Sequence, residues 1–126
     1  MYATDGSLLI VDEQGVLPLA LLDRLKRIGS LLVSRSVDET RDRIESGNCR
    51  AVLVAVSGNP FATLSLALCV HEMDPGLPVM VMDDDFEPRL TRLAVRAGFR
   101  LIAKDDDEQV LTAWDADRLE PAVVFL

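Results

Sequence analysis

Five short apolar runs recur along the chain, and none of them alternates with polar residues. They lie at Leu8–Val11, Leu31–Val33, Ala51–Val56, Val79–Met82 and Leu101–Ala103. Continuous apolar runs of this length are typical of strands that are covered on both faces, which usually means a parallel sheet. The pattern therefore predicts five buried, parallel strands.

Segments with helical spacing separate these runs. We predict helices over Val16–Ile28, from Ser36 to Gly47, from Asn59 and Pro60 onwards, from Glu87 and Pro88 to Gly98, and after Asp105–Glu108. Their predicted inward faces carry Leu21, Leu22, Leu25 and Ile28, then Phe61, Leu64, Leu68 and Cys69, then Leu90, Leu93, Ala94 and Ala97, and finally Val110, Leu111 and Trp114. Strand and helix units repeated five times imply right-handed crossovers and a doubly wound α/β sheet.

Composition limits the size and the class of the protein. A chain of 126 residues with 49% apolar residues is expected to form one domain, residues 1–126. The last six residues, 121–126, would form either an extra C-terminal strand or the start of a following segment. No apolar run approaches the roughly 20 residues of a membrane span, and the N-terminus lacks the pattern of a signal peptide.

Charge and cysteine usage narrow the class further. The net charge of −8 argues against binding to nucleic-acid phosphates. Cys49 and Cys69 have neither a metal-ligand spacing nor the pattern of a disulfide framework, so we expect both to be reduced in a cytoplasmic protein. We expect no cofactor and no membrane contact.

Candidate chemistry follows the strands. In a doubly wound sheet, ligands bind outside the carboxyl ends of the strands. The first strand is followed by Asp12 and Glu13, the third ends at Val56, the fourth is followed by Asp83, and the fifth by Lys104. An acidic pair and a lysine at these positions are not needed for folding, so they form the candidate site.

Over residues 7–116, the sequence resembles the CheY-like receiver domains of two-component response regulators. The stretches that carry the resemblance are LLIVDE, the NP after the third strand, LPVMVM and AGFRLIAK. The resemblance implies a flavodoxin-like five-stranded parallel sheet of order 2-1-3-4-5. It also implies that the acidic pair holds Mg²⁺, that an aspartate ending the third strand accepts a phosphoryl group, and that the lysine neutralises this group.

The sequence departs from that family at the positions that carry the chemistry. The position of the phosphoacceptor aspartate is occupied by Val56, four residues before Pro60. A valine cannot form an acyl phosphate or ligate a hard cation. Asp83 stands where the family has a serine or threonine, Leu101 replaces an aromatic residue, and Asp105 replaces a proline. We therefore expect a degenerate receiver that is not phosphorylated in the ordinary way and is not an enzyme.

Two functions remain open for such a domain. The first is a phosphorylation-independent signalling and protein-interaction domain, at the N-terminus of a longer response regulator. The alternative is a small-molecule or metal sensor that uses Asp12, Glu13, Asp83 and Lys104 as polar anchors. Asp12 and Glu13 are weak metal candidates and would otherwise hold the first loop. We predict that Lys104 pairs with Asp12 or Asp83.

A candidate interface lies on the predicted fourth helix, fifth strand and fifth helix. Its residues are Arg89, Arg92, Arg96, Leu101 and Asp106. The arginines recur at i, i+3 and i+7, so they share one side of the helix; a solvated surface is the other interpretation. A homodimer or a protein partner would use this face, with Trp114 and the tail Ala122–Leu126 as its apolar part.

Overall fold

The protein folds into a five-stranded parallel sheet with helices on both faces. A computed structural model describes residues 6–55, 60–83, 88–103 and 106–119. The strands are β1 (Ser7–Val11), β2 (Leu31–Ser34), β3 (Cys49–Ala55), β4 (Val79–Asp83) and β5 (Arg100–Ala103). They pair in the order β2-β1-β3-β4-β5, and every pairing is parallel, which confirms the predicted fold class.

Five helices connect the strands. They are α1 (Leu19–Ile28), α2 (Val37–Glu45), α3 (Pro60–Met73), α4 (Pro88–Arg96) and α5 (Asp107–Leu119). Two predicted features lie outside the described residues. One is the N-cap Asn59, and the other is the extra strand that residues 121–126 could form. No helix in the described part of the chain is both long and apolar enough to cross a membrane.

The helix boundaries follow local hydrogen bonding. The Ser36 side chain accepts a hydrogen bond from the backbone N–H of Glu39 at 3.1 Å and begins α2, as predicted. The Glu39 carboxylate accepts from the N–H of Arg35 at 2.8 Å, one residue before the position that a capping box would use. At the C-terminal end of α4, Gly98 has φ +87° and terminates the helix.

Alternation along the strands divides the core into two layers. Leu8 and Ile10 of β1 pack with α1 and α5, whereas Leu9 and Val11 pack with α2, α3 and α4. Trp114 of α5 is fully buried in the first layer, and its Nε1 has no hydrogen-bond partner among the described residues. The prediction that Trp114 could contribute to a partner surface is therefore wrong, because the ring lies in the core.

The predicted inward faces are correct for α1 and α5 and partly wrong for α3 and α4. Leu21, Leu25, Val110, Leu111 and Trp114 are buried, and Leu22 and Ile28 are half-buried. In contrast, Phe61 is 62% exposed, Leu68 38% and Leu93 49%. The residues of α3 that face the sheet are Leu64, Ala67 and Val70. Because α3 is apolar on every side, its sequence does not show which side is buried.

We predict that the thiol of Cys49 reacts slowly with alkylating reagents. Both cysteines are free and half-buried. Burial raises the pKa of the Cys49 thiol, the Arg43 guanidinium partly offsets this, and the Asp74 carboxylate raises the pKa further. A higher pKa leaves less of the reactive thiolate at pH 8. In a Cys69→Ser variant, iodoacetamide should alkylate Cys49 more slowly than free cysteine, as followed by mass spectrometry. The rate should rise when urea unfolds the chain; equal rates in the folded and unfolded states would contradict the prediction.

Candidate functional site

The carboxyl ends of the strands meet at one edge of the sheet. Val11 of β1 is paired with Val54 of β3 and with Ser34 of β2. At the end of β4, the backbone of Asp83 is paired with Ala103 of β5. This edge is where a doubly wound sheet binds its ligands.

Asp12 belongs to the predicted site, and its side chain is buried. Its side chain is 4% exposed and lies directly after β1. One carboxylate oxygen accepts the backbone N–H of Val16 at 2.9 Å, and the other accepts the N–H of Leu17 at 3.1 Å. Asp12 also donates its own N–H to the carbonyl of Ser34 at 3.0 Å. These bonds fix the loop between β1 and α1.

Pro18 explains why α1 begins at Leu19 and not at Val16. A proline disfavours a helical backbone in the residue before it, here Leu17, so the helix does not extend beyond Pro18 towards the N-terminus. The Asp12 carboxylate binds the N–H groups of Val16 and Leu17 in the loop that precedes it. Pro18 follows in an extended conformation as the N-cap of α1. A buried carboxylate is tolerated only when hydrogen bonds replace its water shell, and these two N–H groups do so.

Arg35 is a charged residue at this edge that the sequence analysis did not single out. It follows the buried Ser34 at the end of β2 and is exposed. Gly15 of the β1–α1 loop has φ +66°, and a Cβ built there would lie 2.9 Å from Nη1 of Arg35. The guanidinium therefore lies close to the loop that Asp12 holds. Its position two residues after the apolar run Leu31–Val33 was the signal available in the sequence.

The other predicted site residues are only partly described. Glu13 is exposed, and the side chain of Asp83 lies outside the described residues. Val56 and Lys104 also lie outside them, so the ion pair between Lys104 and Asp12 or Asp83 stays a prediction. Within the described ranges, no group of three or more His, Cys, Asp and Glu side chains could hold a metal ion.

The predicted interface residues lie on either side of the edge strand β5. Arg89, Arg92 and Arg96 are exposed on α4, and Leu101 of β5 is half-buried. Asp106 is exposed at the start of α5, where its carboxylate accepts the N–H of Gln109 at 3.1 Å. Two apolar residues of α4 are also exposed: Leu93, 49% exposed, and Val95, 62% exposed.

The acidic start of α5 already has partners inside the chain. Glu108 forms an ion pair with Arg24 of α1, which is 84 positions away in the sequence. Asp106 caps its own helix through Gln109. These contacts involve two of the four acidic residues in the sequence stretch Asp105–Glu108.

Solved structures resemble this architecture closely. A CheY-like response regulator receiver domain from Methanospirillum hungatei JF-1 has a TM-score of 0.69 at 18% identity, covering 90% of this chain and 93% of that chain. A two-component response regulator from Clostridium difficile gives 0.71 at 17% identity, with coverages of 90% and 95%. The CheY-like protein TadZ from Pseudomonas aeruginosa PAO1 gives 0.70 at 15%, with coverages of 95% and 98%.

The chain has the receiver fold. Strand order, parallel pairing and helix placement all agree with this architecture. The identities are below 25%, so the likeness is one of fold. Comparison with protein-family models finds no match, and comparison with curated proteins finds none either.

We predict that Asp12 stabilises the fold without metal. Asp12→Ala would leave two backbone N–H groups without acceptors and should reduce the free energy of unfolding by about 2–4 kcal/mol. Asp12→Asn retains one acceptor oxygen and should cost less. Glu13→Ala is the matched control, since Glu13 is exposed, and should change stability by less than about 0.5 kcal/mol. Urea unfolding followed by Trp114 fluorescence measures all three variants. A loss that appears only in millimolar Mg²⁺ would assign Asp12 to a metal site instead.

Proposed function

We propose that this chain is a receiver-like signalling domain that acts through protein contact and is not switched by aspartyl phosphorylation. The observation that carries this proposal is Val56, at the position where the resemblance requires the phosphoacceptor aspartate. An alkyl side chain offers no oxygen to attack a phosphoryl donor. The receiver fold supports the signalling class, and we propose a place at the N-terminus of a longer regulator.

The donor set also fits Mg²⁺ poorly. Mg²⁺ demands near-octahedral oxygen ligands and is usually held by one or two carboxylates together with phosphate oxygens. Both oxygens of Asp12 accept backbone hydrogen bonds, Glu13 is exposed, and position 56 supplies no ligand. We expect Mg²⁺ to bind with a dissociation constant in the millimolar range or weaker, which corresponds to a binding free energy of about −4 kcal/mol or less favourable. Micromolar binding that Asp12→Ala abolishes would favour the sensor alternative.

A domain without a phosphorylation switch is useful through a surface that it always presents. In the face formed by α4, β5 and the start of α5, α4 contributes the exposed Arg92 and Arg96. The exposed Leu93 lies on one side of these arginines around the helix, and the exposed Val95 lies on the other. Arginine and apolar side chains together are typical of protein interfaces. This composition suits a partner segment that is both acidic and apolar.

For this face, we favour a protein partner over a homodimer. A homodimer would need the acidic start of α5 to meet the arginines of a second copy. Glu108 is already paired with Arg24, and Asp106 caps α5. Moving these carboxylates to a second copy would break these two contacts inside the chain, whereas a separate acidic partner would leave both in place.

We predict that phosphoryl donors leave the protein unchanged. Acetyl phosphate with Mg²⁺ should produce no adduct by intact-protein mass spectrometry, and beryllofluoride should not change Trp114 fluorescence. The comparison variant is Val56→Asp combined with Asp83→Thr, which restores the carboxylate and the hydroxyl that the resemblance assigns to these positions. A stoichiometric, base-labile phosphoryl adduct on the unmodified chain would refute the proposal.

We predict that the arginines of α4 bind an acidic amphipathic segment. The probe is a labelled helical peptide with one leucine face flanked by glutamates, titrated by fluorescence anisotropy at low salt. Arg92→Glu combined with Arg96→Glu should weaken binding by roughly tenfold, which corresponds to about 1.4 kcal/mol. Lys26→Glu with Arg27→Glu makes the same charge change on exposed residues of α1 and should have little effect. Equal losses in the two variants would mean that only net charge matters.

A further inference from the structure

The outer face of α3 carries no charged residue over most of its length. From Pro60 to Val70 the sequence contains no Asp, Glu, Lys or Arg. The helical repeat places five residues of the first three turns on the side that faces away from the sheet, and we call them the uncharged α3 face: Phe61, Ala62, Ser65, Leu68 and Cys69. Of these, Phe61 is 62% exposed and Leu68 is 38% exposed. The exposed Glu72 continues this side in the last turn of α3 and is charged.

This face differs from those of the other helices. Exposed charged residues lie on α1 at Asp23, Arg24, Lys26 and Arg27, on α2 at Asp38, Glu39, Arg41, Asp42, Arg43 and Glu45, on α4 at Arg89, Arg92 and Arg96, and on α5 at Glu108 and Asp115. A surface helix normally carries charged and polar residues on its outer side, and a helix that is apolar all round is normally buried. The first three turns of α3 therefore have the composition of a helix covered on both sides.

The core does not require an apolar outer side on α3. Leu64, Ala67 and Val70 already fill its contact with the sheet, in the layer that also contains Val52 and Val81. The uncharged α3 face points away from this layer. The exposed side chains of Phe61 and Leu68 are therefore not required for packing against the sheet.

We propose that the uncharged α3 face is a homodimer interface, in which α3 packs against α3 of a second copy around a twofold axis. Two copies that each carry a charge of −8 repel one another. In a twofold interface, residues near the axis meet their own counterparts, so any charge there meets a like charge. Among the described helices, α3 offers an outer face that avoids this repulsion.

The side chains fit such a contact. Ser65 lies at the centre of the face, with Ala62 and Cys69 beside it, so two helix backbones can approach closely. Phe61 and Leu68 flank this centre and supply the apolar area. A helix of 14 residues is about 21 Å long. A contact of that length lies at the small end of specific interfaces, so we expect a dimer that dissociates on dilution.

The test compares two single charges placed on different helices. Ser65→Glu puts like charges at the axis, whereas Ala20→Glu adds the same charge to the exposed side of α1. By light scattering and sedimentation over a concentration series, the wild type and Ala20→Glu should dimerise with similar dissociation constants. Ser65→Glu should weaken the dimer by at least about tenfold, with an unchanged melting temperature. A wild type that stays monomeric at its highest soluble concentration would overturn the proposal.

Cross-linking locates the contact independently. In a background with Cys49→Ser and Cys69→Ser, Ser65→Cys should form an intermolecular disulfide under mild oxidation, and Ala20→Cys should not. Arg92→Glu with Arg96→Glu should leave the dimer intact. Dissociation by that charge reversal, with a dimer that survives Ser65→Glu, would place the interface on α4 and refute the α3 contact. Neither outcome bears on the phosphoryl-donor test, so the two proposals can fail separately.

Discussion

The central strands of this sheet, β1, β3 and β4, present apolar side chains on both of their faces, and water must be excluded from both. The edge strands β2 and β5 are only partly buried, so the prediction of five buried strands is wrong for these two. β1 shows the constraint most simply, because Leu8, Leu9, Ile10 and Val11 are all fully buried. Such a sheet is stable only between two layers of helices, and parallel pairing supplies them because each strand-to-strand connection crosses one face. The same connections bring the carboxyl ends of all five strands to one edge. The candidate site is thus a geometric result of how the core is covered.

Asp12 connects that core to the site. It is the first polar residue after the fully buried stretch of β1, and its carboxylate is itself nearly buried. The backbone N–H groups of Val16 and Leu17 replace its water shell and fix the loop that leads into α1. A carboxylate used in this way contributes to stability whether or not any ligand is present. In this chain, the acidic pair is therefore divided between a structural residue and the exposed Glu13.

The sequence was sufficient to predict the five strands, their parallel pairing and the faces of α1 and α5, because apolar spacing there has one clear phase. It was not sufficient for α3, where Phe61 and Leu68 are as apolar as the buried Leu64 and Val70. Apolar spacing also placed the start of α1 too early, because Val16 and Leu17 are apolar but precede Pro18, the N-cap of α1. Trp114 belonged to the core, but an indole is also common at interfaces, and composition alone does not separate these roles. At the candidate site, the positions of the strand ends were predictable. The hydrogen bonds of Asp12 were not, because they depend on the path of the β1–α1 loop, which residue types do not specify.

The core formed by the described residues of β3 ends at Ala55, one residue before Val56. The buried residues that define β3 and the residue on which the proposed loss of phosphorylation rests are therefore different positions of the chain. A single base substitution converts an aspartate codon into a valine codon, and the reverse substitution restores it. On the proposed function, one such substitution removes the phosphoacceptor, while the departures at Asp83, Leu101 and Asp105 require further ones. In a fold of this design, chemistry at position 56 and the surfaces of the helices can be inherited separately.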